Sequence, residues 1–184
     1  MSPMNKLLEP ERVLEIKNQA NDVLAAYVHI QNPLERLLKI ASDNDIGVYS
    51  GNLYEMSGAL RKKDNKWSIY VNNSDSEQRK LFTIAHELGH YFVHRDKCDE
   101  FVDGQLISRT EQEKYATLEL EANEFAGNLI MPESEVKSRI ATDEITLEVV
   151  RQLAEGFGVS TLAMTTRLKN LGYEPPSPTR AEVA

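Results

Sequence analysis

Two histidines spaced four residues apart, with a glutamate directly after the first, are the part of this sequence best suited to chemistry. Residues 86–90 read His-Glu-Leu-Gly-His and match the pattern H-E-x-x-H. Residues four apart lie on one face of an α-helix, so the imidazoles of His86 and His90 can bind one zinc ion. Glu87 projects beside the metal, where it can act as a general base toward an attacking water molecule. The pattern therefore predicts a catalytic zinc site.

A helix must carry this pattern, and the residues around it predict one. Ser74 and Glu77 have the S-x-x-E spacing of a capping box, which favours a helix start just upstream of the motif. Gly89 costs a helix about 1 kcal/mol relative to alanine, so we expect it to permit close packing of another backbone or of the metal site. The apolar side of this helix consists of Leu81, Ile84, Ala85, Leu88 and Phe92.

A catalytic zinc ion usually has three protein ligands, so a third ligand must come from another part of the chain. His94 continues the spacing of four, but it would lie about 12 Å along the helix axis from His86 and cannot share its ion. We expect His94 either at the surface or in a supporting contact to a ligand. For stabilisation of an oxyanion the sequence offers Tyr91 and His94 and does not choose between them.

A second predicted helix, Tyr115–Ile130, supplies candidate carboxylates for the third ligand position. Glu119 lies at the border of its apolar stripe, whereas Glu121 and Glu124 are expected further toward the polar side. A ligand between two packed helices must come from the packed side, so we choose Glu119; the alternative is that all three glutamates are surface charges. Asn123, one turn later, could orient a ligating histidine. The stripe consists of Leu118, Ala122, Phe125, Ala126 and Leu129.

The elements that must position these two helices are short helices and short strands. The apolar spacing predicts helices over 10–28 and 34–41, a short strand over 46–49, and a hairpin that runs from Gly58 to Val71 through a charged turn. This hairpin either covers the helices or presents an edge strand that pairs with an extended peptide substrate. The predicted fold class is α+β, with a mainly helical zincin-like core and a small antiparallel sheet.

The C-terminal part predicts a helix-turn-helix-like segment. A helix from Leu147 is followed by Gly158, which suits a turn, and by Ser160, which can cap a second helix that ends near Gly172. This pair could bind DNA or could pack against the rest of the protein or a protein partner. Local charge favours packing over DNA contact, because DNA binding needs a clear basic excess. Its cations Arg151, Arg167 and Lys169 are offset by Asp143, Glu144, Glu148 and Glu155.

These patterns divide the chain into three parts. Residues 1–140 are predicted to form the zincin-like metallopeptidase domain, residues 141–172 the helix-turn-helix-like segment, and residues 173–184, which contain three prolines, a disordered tail.

Composition excludes several classes of protein. The 184 residues carry a net charge of −8 and the isoelectric point is near 5.1, which argues against a general binder of nucleic acid or anionic membranes. The sequence contains no run of about 18 apolar residues, so no membrane span is predicted. Cys98 is the only cysteine and the N-terminus lacks the apolar core of a signal peptide, so we expect the protein in the cytoplasm.

The two site helices together resemble the ImmA/IrrE family of metallopeptidases. The resemblance rests on His-Glu-Leu-Gly-His and on the downstream segment E-x-E-A-N-E-F-A-x-x-L-I-M-P at residues 119–132, and extends over roughly residues 10–172. It implies that His86, His90 and Glu119 bind Zn²⁺ and that Glu87 is the catalytic glutamate. It also implies a cytoplasmic protein. Members of the family often cut or inactivate DNA-binding repressors in phage, mobile-element or stress-response circuits. Others pair with a helix-turn-helix partner as toxin and antitoxin.

Two functions are consistent with this sequence. The first is a zinc-dependent endopeptidase whose protein substrate is a DNA-binding, helix-turn-helix repressor. The alternative is a non-catalytic regulatory protein of the same fold, an anti-repressor or a toxin-like partner of a helix-turn-helix protein. The intact residues His86, Glu87 and His90 favour the enzyme.

Overall fold

The structure is a computed structural model that describes residues 8–102, 109–141 and 144–176, without the side chains of Val102 and residues 109–114. Helices and strands alternate irregularly along these ranges, which makes the fold α+β, as predicted. In chain order the elements are α1 (Pro10–Ala25), α2 (Pro33–Asp43), β1 (Ile46–Gly51), β2 (Gly58–Lys63), β3 (Lys66–Asn72), α3 (Glu77–His94), β4 (Glu100–Val102), α4 (Arg109–Ile130), α5 (Glu133–Arg139), α6 (Leu147–Phe157) and α7 (Thr161–Asn170).

The sheet is mixed, so the prediction of an antiparallel sheet is wrong. The strand order is β1-β3-β2-β4; β2 pairs antiparallel with both β3 and β4, whereas β1 pairs parallel with β3. The reason is topological: β1 skips its chain neighbour β2 and pairs with β3, which has reversed direction twice and runs the same way as β1. Asp64 and Asn65, with φ of 49° and 63°, form the tight turn between β2 and β3.

Both strands of the predicted hairpin lie inside the sheet, so the hairpin offers no edge strand to a peptide. The edges are β1 and β4 instead. Strand β4 was not predicted, because its three residues are too few to show an alternating pattern. The inner face of the sheet covers α3: Trp67 of β3 packs edge-on against Tyr91, with ring centroids 5.8 Å apart.

Helix α3 begins two residues later than the predicted capping box. Ser76 is the N-cap, and its hydroxyl accepts a hydrogen bond from the backbone N–H of Arg79 at 3.2 Å. The hydroxyl of Ser74 instead lies 2.7 Å from Oδ1 of Asn72, within the turn that leaves β3. Helix α4 begins at Arg109, earlier than predicted, and ends at Ile130 as predicted.

Helices α3 and α4 cross at Gly89, which confirms the expectation that this glycine permits close packing. A Cβ atom at Gly89 would lie 2.9 Å from the carbonyl oxygen of Ala122 and 3.0 Å from its Cα. No other residue type fits at this distance without a shift of one helix. The crossing therefore fixes how close the predicted ligands His86 and His90 on α3 come to Glu119 on α4.

The C-terminal helices α6 and α7 pack against each other, and α7 is bonded to the end of α4. Gly158 ends α6 in the left-handed region, with φ of 66°, and Ser160 caps α7. Arg167 of α7 is buried and donates to the carbonyl oxygen of Met131 at 2.9 Å and to Oδ1 of Asn128 at 2.8 Å. These hydrogen bonds tie α7 to the helix that carries Glu119.

The chain continues past α7 for a few described residues. The backbone N–H of Tyr173 donates to the carbonyl oxygen of Leu168 at 3.0 Å, and Tyr173 packs against the core. The remainder of the predicted tail, residues 177–184, lies outside the described residues. Among the helices that are described, none combines the length and the apolar character needed to cross a membrane.

The helix crossing generates a stability prediction. Gly89→Ala should lower the free energy of unfolding by about 1–3 kcal/mol, because the added methyl group overpacks the contact with Ala122. Gly127→Ala on α4 is the matched control: its Cβ meets no atom within 4 Å, so the better helix propensity of alanine should leave stability equal or raise it by up to about 1 kcal/mol. Urea unfolding of both variants measures the difference, and equal stabilities would contradict the packing argument.

Candidate metal centre

Within the described part of the chain, two helices bring together a group of side chains that could hold a metal ion. The ligand atoms of His86, His90 and Glu119 all lie within 4.8 Å of one another. Nε2 of His86 is 3.0 Å from Nε2 of His90, and the carboxylate oxygens of Glu119 lie 3.2 Å and 3.1 Å from these two nitrogens. The three residues are those that the sequence predicted as ligands, and Glu121 and Glu124 are not part of the group.

The spacing of the two imidazole nitrogens and the two Glu119 oxygens is compatible with a tetrahedral zinc site. Ligand atoms about 2.0–2.1 Å from a zinc ion in tetrahedral geometry lie about 3.3–3.4 Å from one another. The two Nε2 atoms are 3.0 Å apart, and each lies 3.1–3.2 Å from a different oxygen of Glu119, which is close to those edges. The side chains of His86 and His90 are 7% and 1% exposed, whereas that of Glu119 is 25% exposed. The group is therefore closed on the histidine side and open beside Glu119.

Asn123 lies where it can orient His86. Its Oδ1 is 3.0 Å from Nδ1 of His86, and an amide oxygen can only accept, so Nδ1 carries the proton and Nε2 keeps its lone pair. The ring of Phe82 stacks against that of His86 at a centroid distance of 6.4 Å. The tautomer of His86 is thus the one that a metal ligand needs.

His90 is held from behind by His94, which is fully buried. Nδ1 of His90 is 3.1 Å from Nδ1 of His94, and Nε2 of His94 is 2.8 Å from Oε2 of Glu121. Of the two expectations for His94, the surface position is wrong and the contact to a candidate ligand is found. Glu121, expected on the polar side, is 6% exposed, because it follows Leu118 by three residues and precedes Ala122 at the packed face of α4.

Burial and hydrogen bonding decide the charges of this pair. Burial lowers the pKa of His94 to about 4, although its hydrogen bond to Glu121 acts in the opposite direction. Burial by itself would raise the pKa of Glu121, but hydrogen bonds from Arg12 and His94 outweigh it and lower that pKa to about 2. At neutral pH Glu121 is therefore a carboxylate and His94 a neutral imidazole.

The atoms that meet at the centre of this group are electron-pair donors. Burial raises the pKa of Glu119, but its hydrogen bonds and charge interactions with His86 and His90 outweigh burial and hold that pKa well below its ordinary value. Glu119 is thus a carboxylate at neutral pH. Two imidazole nitrogens and a carboxylate directed at one point suit a divalent cation, and zinc accepts this set of ligands.

Glu87 lies beside this group, on the side of the sheet. It is 1% exposed, and a Cβ atom placed on Gly58 of β2 would lie 2.8 Å from its Oε1 and 2.3 Å from Cγ2 of Thr83. The start of β2 therefore approaches α3 so closely that only glycine fits, and the Glu87 carboxylate lies against that backbone. No pattern in the sequence indicated that Gly58 lies against Glu87.

The two candidates for oxyanion stabilisation belong to the surrounding packing. Both ring nitrogens of His94 are engaged by His90 and Glu121, so the expectation that His94 contacts an oxyanion is wrong. Tyr91 packs against Trp67, and the guanidinium of Arg95 lies 4.9 Å from the centroid of its ring. A contact that sequence reasoning missed is Phe101 of β4, which stacks on His90 at a centroid distance of 4.5 Å.

Fold and site together define a class of protein: a small α+β domain in which an H-E-x-x-H helix and a crossing acidic helix form one His-His-Glu group. The model of Peptidase_M78, the IrrE N-terminal-like domain, matches residues 41–169. This range is more than half of the chain, so the protein belongs to this metallopeptidase family. The membership confirms the predicted resemblance to ImmA/IrrE metallopeptidases.

Comparison with solved structures shows a similar fold in a larger protein. A Mycobacterium tuberculosis transcriptional regulator has a TM-score of 0.57 and 17% sequence identity, over 92% of this chain and 49% of that one. The present chain thus spans about half the length of that regulator. None of the curated proteins gives a significant match.

The contact of Asn123 with His86 generates a prediction about metal affinity. Asn123→Ala should weaken Zn²⁺ binding about 10-fold, because Nδ1 of His86 loses the acceptor that fixes its tautomer. The loss should be at the low end of the usual range, since Asn123 is exposed and water can replace its oxygen. Competition with a chromophoric chelator measures the affinity, and Asn21→Ala on the exposed face of α1 is the control. Wild-type affinity in Asn123→Ala would contradict this role.

Proposed function

We propose that this protein is a zinc-dependent endopeptidase with a zincin-like core, in which His86, His90 and Glu119 bind Zn²⁺ and Glu87 is the catalytic base. The observation that carries the proposal is the convergence of His86, His90 and Glu119, whose nitrogen and oxygen atoms lie 3.0–3.2 Å apart, next to the buried Glu87 on the helix of the two histidines. Membership of the metallopeptidase family supports it.

The proposed reaction is hydrolysis of a peptide bond. Bound zinc would supply Lewis acidity, which polarises the scissile carbonyl and lowers the pKa of a bound water to about 7. Glu87 takes a proton from the attacking water as its oxygen bonds to the carbonyl carbon, and then passes that proton to the amide nitrogen as the C–N bond breaks. Substrate enters beside Glu119, the most exposed of the three ligands.

The proposed substrate is a DNA-binding, helix-turn-helix repressor in the cytoplasm, in a phage, mobile-element or stress-response circuit. The resemblance to the ImmA/IrrE family supports this choice. We assign the helix-turn-helix-like segment α6–α7 to packing and to contact with a protein partner. DNA contact through α7 is disfavoured, because its Arg167 is 5% exposed and bonded to Met131 and Asn128, and so cannot bind phosphate.

Replacement of the proposed base separates metal binding from catalysis. Glu87→Gln should retain one zinc ion per chain, since Glu87 is not among the ligands, and should lower cleavage of a helix-turn-helix repressor by at least about 100-fold, because glutamine cannot take the proton. His86→Ala should lose both. Zinc content by elemental analysis and cleavage by mass spectrometry of the incubated repressor, with and without chelator, measure the two properties.

The same incubation tests the non-catalytic alternative. A stoichiometric complex with an intact repressor, unchanged by Glu87→Gln, would establish a regulatory binding protein and overturn the peptidase. Cleavage that disappears with chelator and with Glu87→Gln supports the enzyme.

The contact between Gly58 and Glu87 generates a second prediction on activity. Gly58→Ala should lower cleavage strongly while zinc content stays at the wild-type level, because the methyl group would displace the Glu87 carboxylate and Thr83 but touches no ligand. Gly51→Ala in β1 is the matched control, since its Cβ would meet no atom within 4 Å. Equal activities of the two variants would contradict a positional role of Gly58.

A further inference from the structure

We propose that helix α1 is part of the metal site: Arg12, Glu121 and His94 form a hydrogen-bonded chain that fixes the tautomer and ring orientation of His90. This proposal rests on the proposed function, because it assigns these three as positioning residues for a zinc ligand. Helix α1 lies outside residues 41–169, the part of the chain that the family model matches. The contacts of Arg12, Glu121 and His94 therefore connect helix α1, outside the matched domain, to the candidate metal centre.

The first link joins α1 to α4. Nε of Arg12 donates to Oε1 of Glu121 at 2.9 Å, and its Nη2 donates to Oε2 at 2.8 Å. Two parallel bonds from a planar guanidinium fix both the position and the plane of the carboxylate. Lys97 also approaches Glu121, but its Nζ is 3.8 Å away and its side chain is 50% exposed, so it adds charge and does not fix orientation.

The second link sets the protons of the two histidines. A carboxylate can only accept, so Nε2 of His94, 2.8 Å from Glu121, carries the proton of this neutral ring. Nδ1 of His94 then has a lone pair and accepts from Nδ1–H of His90 at 3.1 Å. The remaining nitrogen of His90, Nε2, is left with the lone pair that binds metal.

Burial makes this chain stronger than the contact of the other histidine ligand. The side chain of His94 is 0% exposed and that of Glu121 is 8% exposed, so water cannot easily replace either partner. His86, by contrast, is oriented by the exposed Asn123. Without His94, Nδ1–H of His90 would lose its acceptor inside the protein, and the tautomer with the proton on the metal-binding nitrogen would become competitive. Loss of the hydrogen bonds through His94 and Glu121 should therefore weaken Zn²⁺ binding more than loss of Asn123 does.

The experiment measures zinc and cobalt binding directly, without a substrate. Zn²⁺ affinity is determined by competition with a chelator, and the visible absorption of the Co²⁺-substituted protein reports the ligand geometry. We expect His94→Phe to weaken Zn²⁺ binding at least about 10-fold and up to about 100-fold, and Arg12→Gln to weaken it by a smaller factor, with altered cobalt spectra in both. Arg12→Lys should bind Zn²⁺ more tightly than Arg12→Gln but less tightly than wild type, since an ammonium cannot bond both carboxylate oxygens as the guanidinium does.

Two matched controls remove nearby charges that lie outside the chain. Lys97→Gln removes the cation 3.8 Å from Glu121, and Glu15→Gln breaks the exposed pair that Arg12 makes at 3.0 Å. Both should bind Zn²⁺ within about twofold of wild type, as expected for exposed charges. Urea unfolding of the metal-free proteins shows whether the Arg12→Gln variant is folded. Arg12 is one-third exposed, so its replacement leaves no large cavity.

The outcomes distinguish this proposal from the proposed function. If the wild type binds zinc and both Arg12→Gln and His94→Phe retain its affinity and cobalt spectrum, the positioning role is overturned and the peptidase stands. If Lys97→Gln weakens binding as much as Arg12→Gln, general charge and not orientation is responsible, which also overturns it. A wild-type chain that binds neither metal would overturn the proposed function, and this inference with it.

Discussion

The contact between Gly89 of α3 and Ala122 of α4 is the constraint on which the rest of this structure depends. A Cβ atom at Gly89 would lie about 3 Å from the backbone of Ala122, and the close approach of the two helices at this point brings Glu119 within reach of both histidine rings. A metal site tolerates errors of only a few tenths of an ångström, so the helix crossing must be fixed by backbone contact and not by flexible side chains. Gly89 is thus a requirement of the ligand geometry, although it binds nothing itself.

Each ligand depends on a different neighbour, and the neighbours differ in burial. His86 is oriented from an exposed position by Asn123, whereas His90 is oriented from the interior by His94 and Glu121. Glu119 is the most exposed of the three and faces the open side. This asymmetry gives the candidate metal centre one closed side and one accessible side, as the proposed peptidase function requires.

The sheet and the C-terminal helices support the site in different ways. The sheet places β2 against Glu87 at Gly58 and stacks Phe101 of β4 on His90. The C-terminal pair acts at the other end of α4, where Arg167 holds the last turn through Met131 and Asn128. A cation buried in this way contributes to packing, which is why a segment with helix-turn-helix spacing need not bind DNA.

The sequence by itself determined the elements whose signal is local. The four-residue spacing of His86 and His90 and the apolar stripe around Glu119 were sufficient to predict that these three side chains come together, because helical periodicity fixes which side chains share a face. Contacts between elements distant in the chain were decided only by the tertiary structure. Glu121 was predicted toward the polar side of its helix; its partners in the interior, Arg12, 109 residues away, and His94, could not be read from local spacing. The parallel pairing of β1 with β3 and the fit of Gly58 against Glu87 likewise depend on how elements pack, which no local pattern encodes.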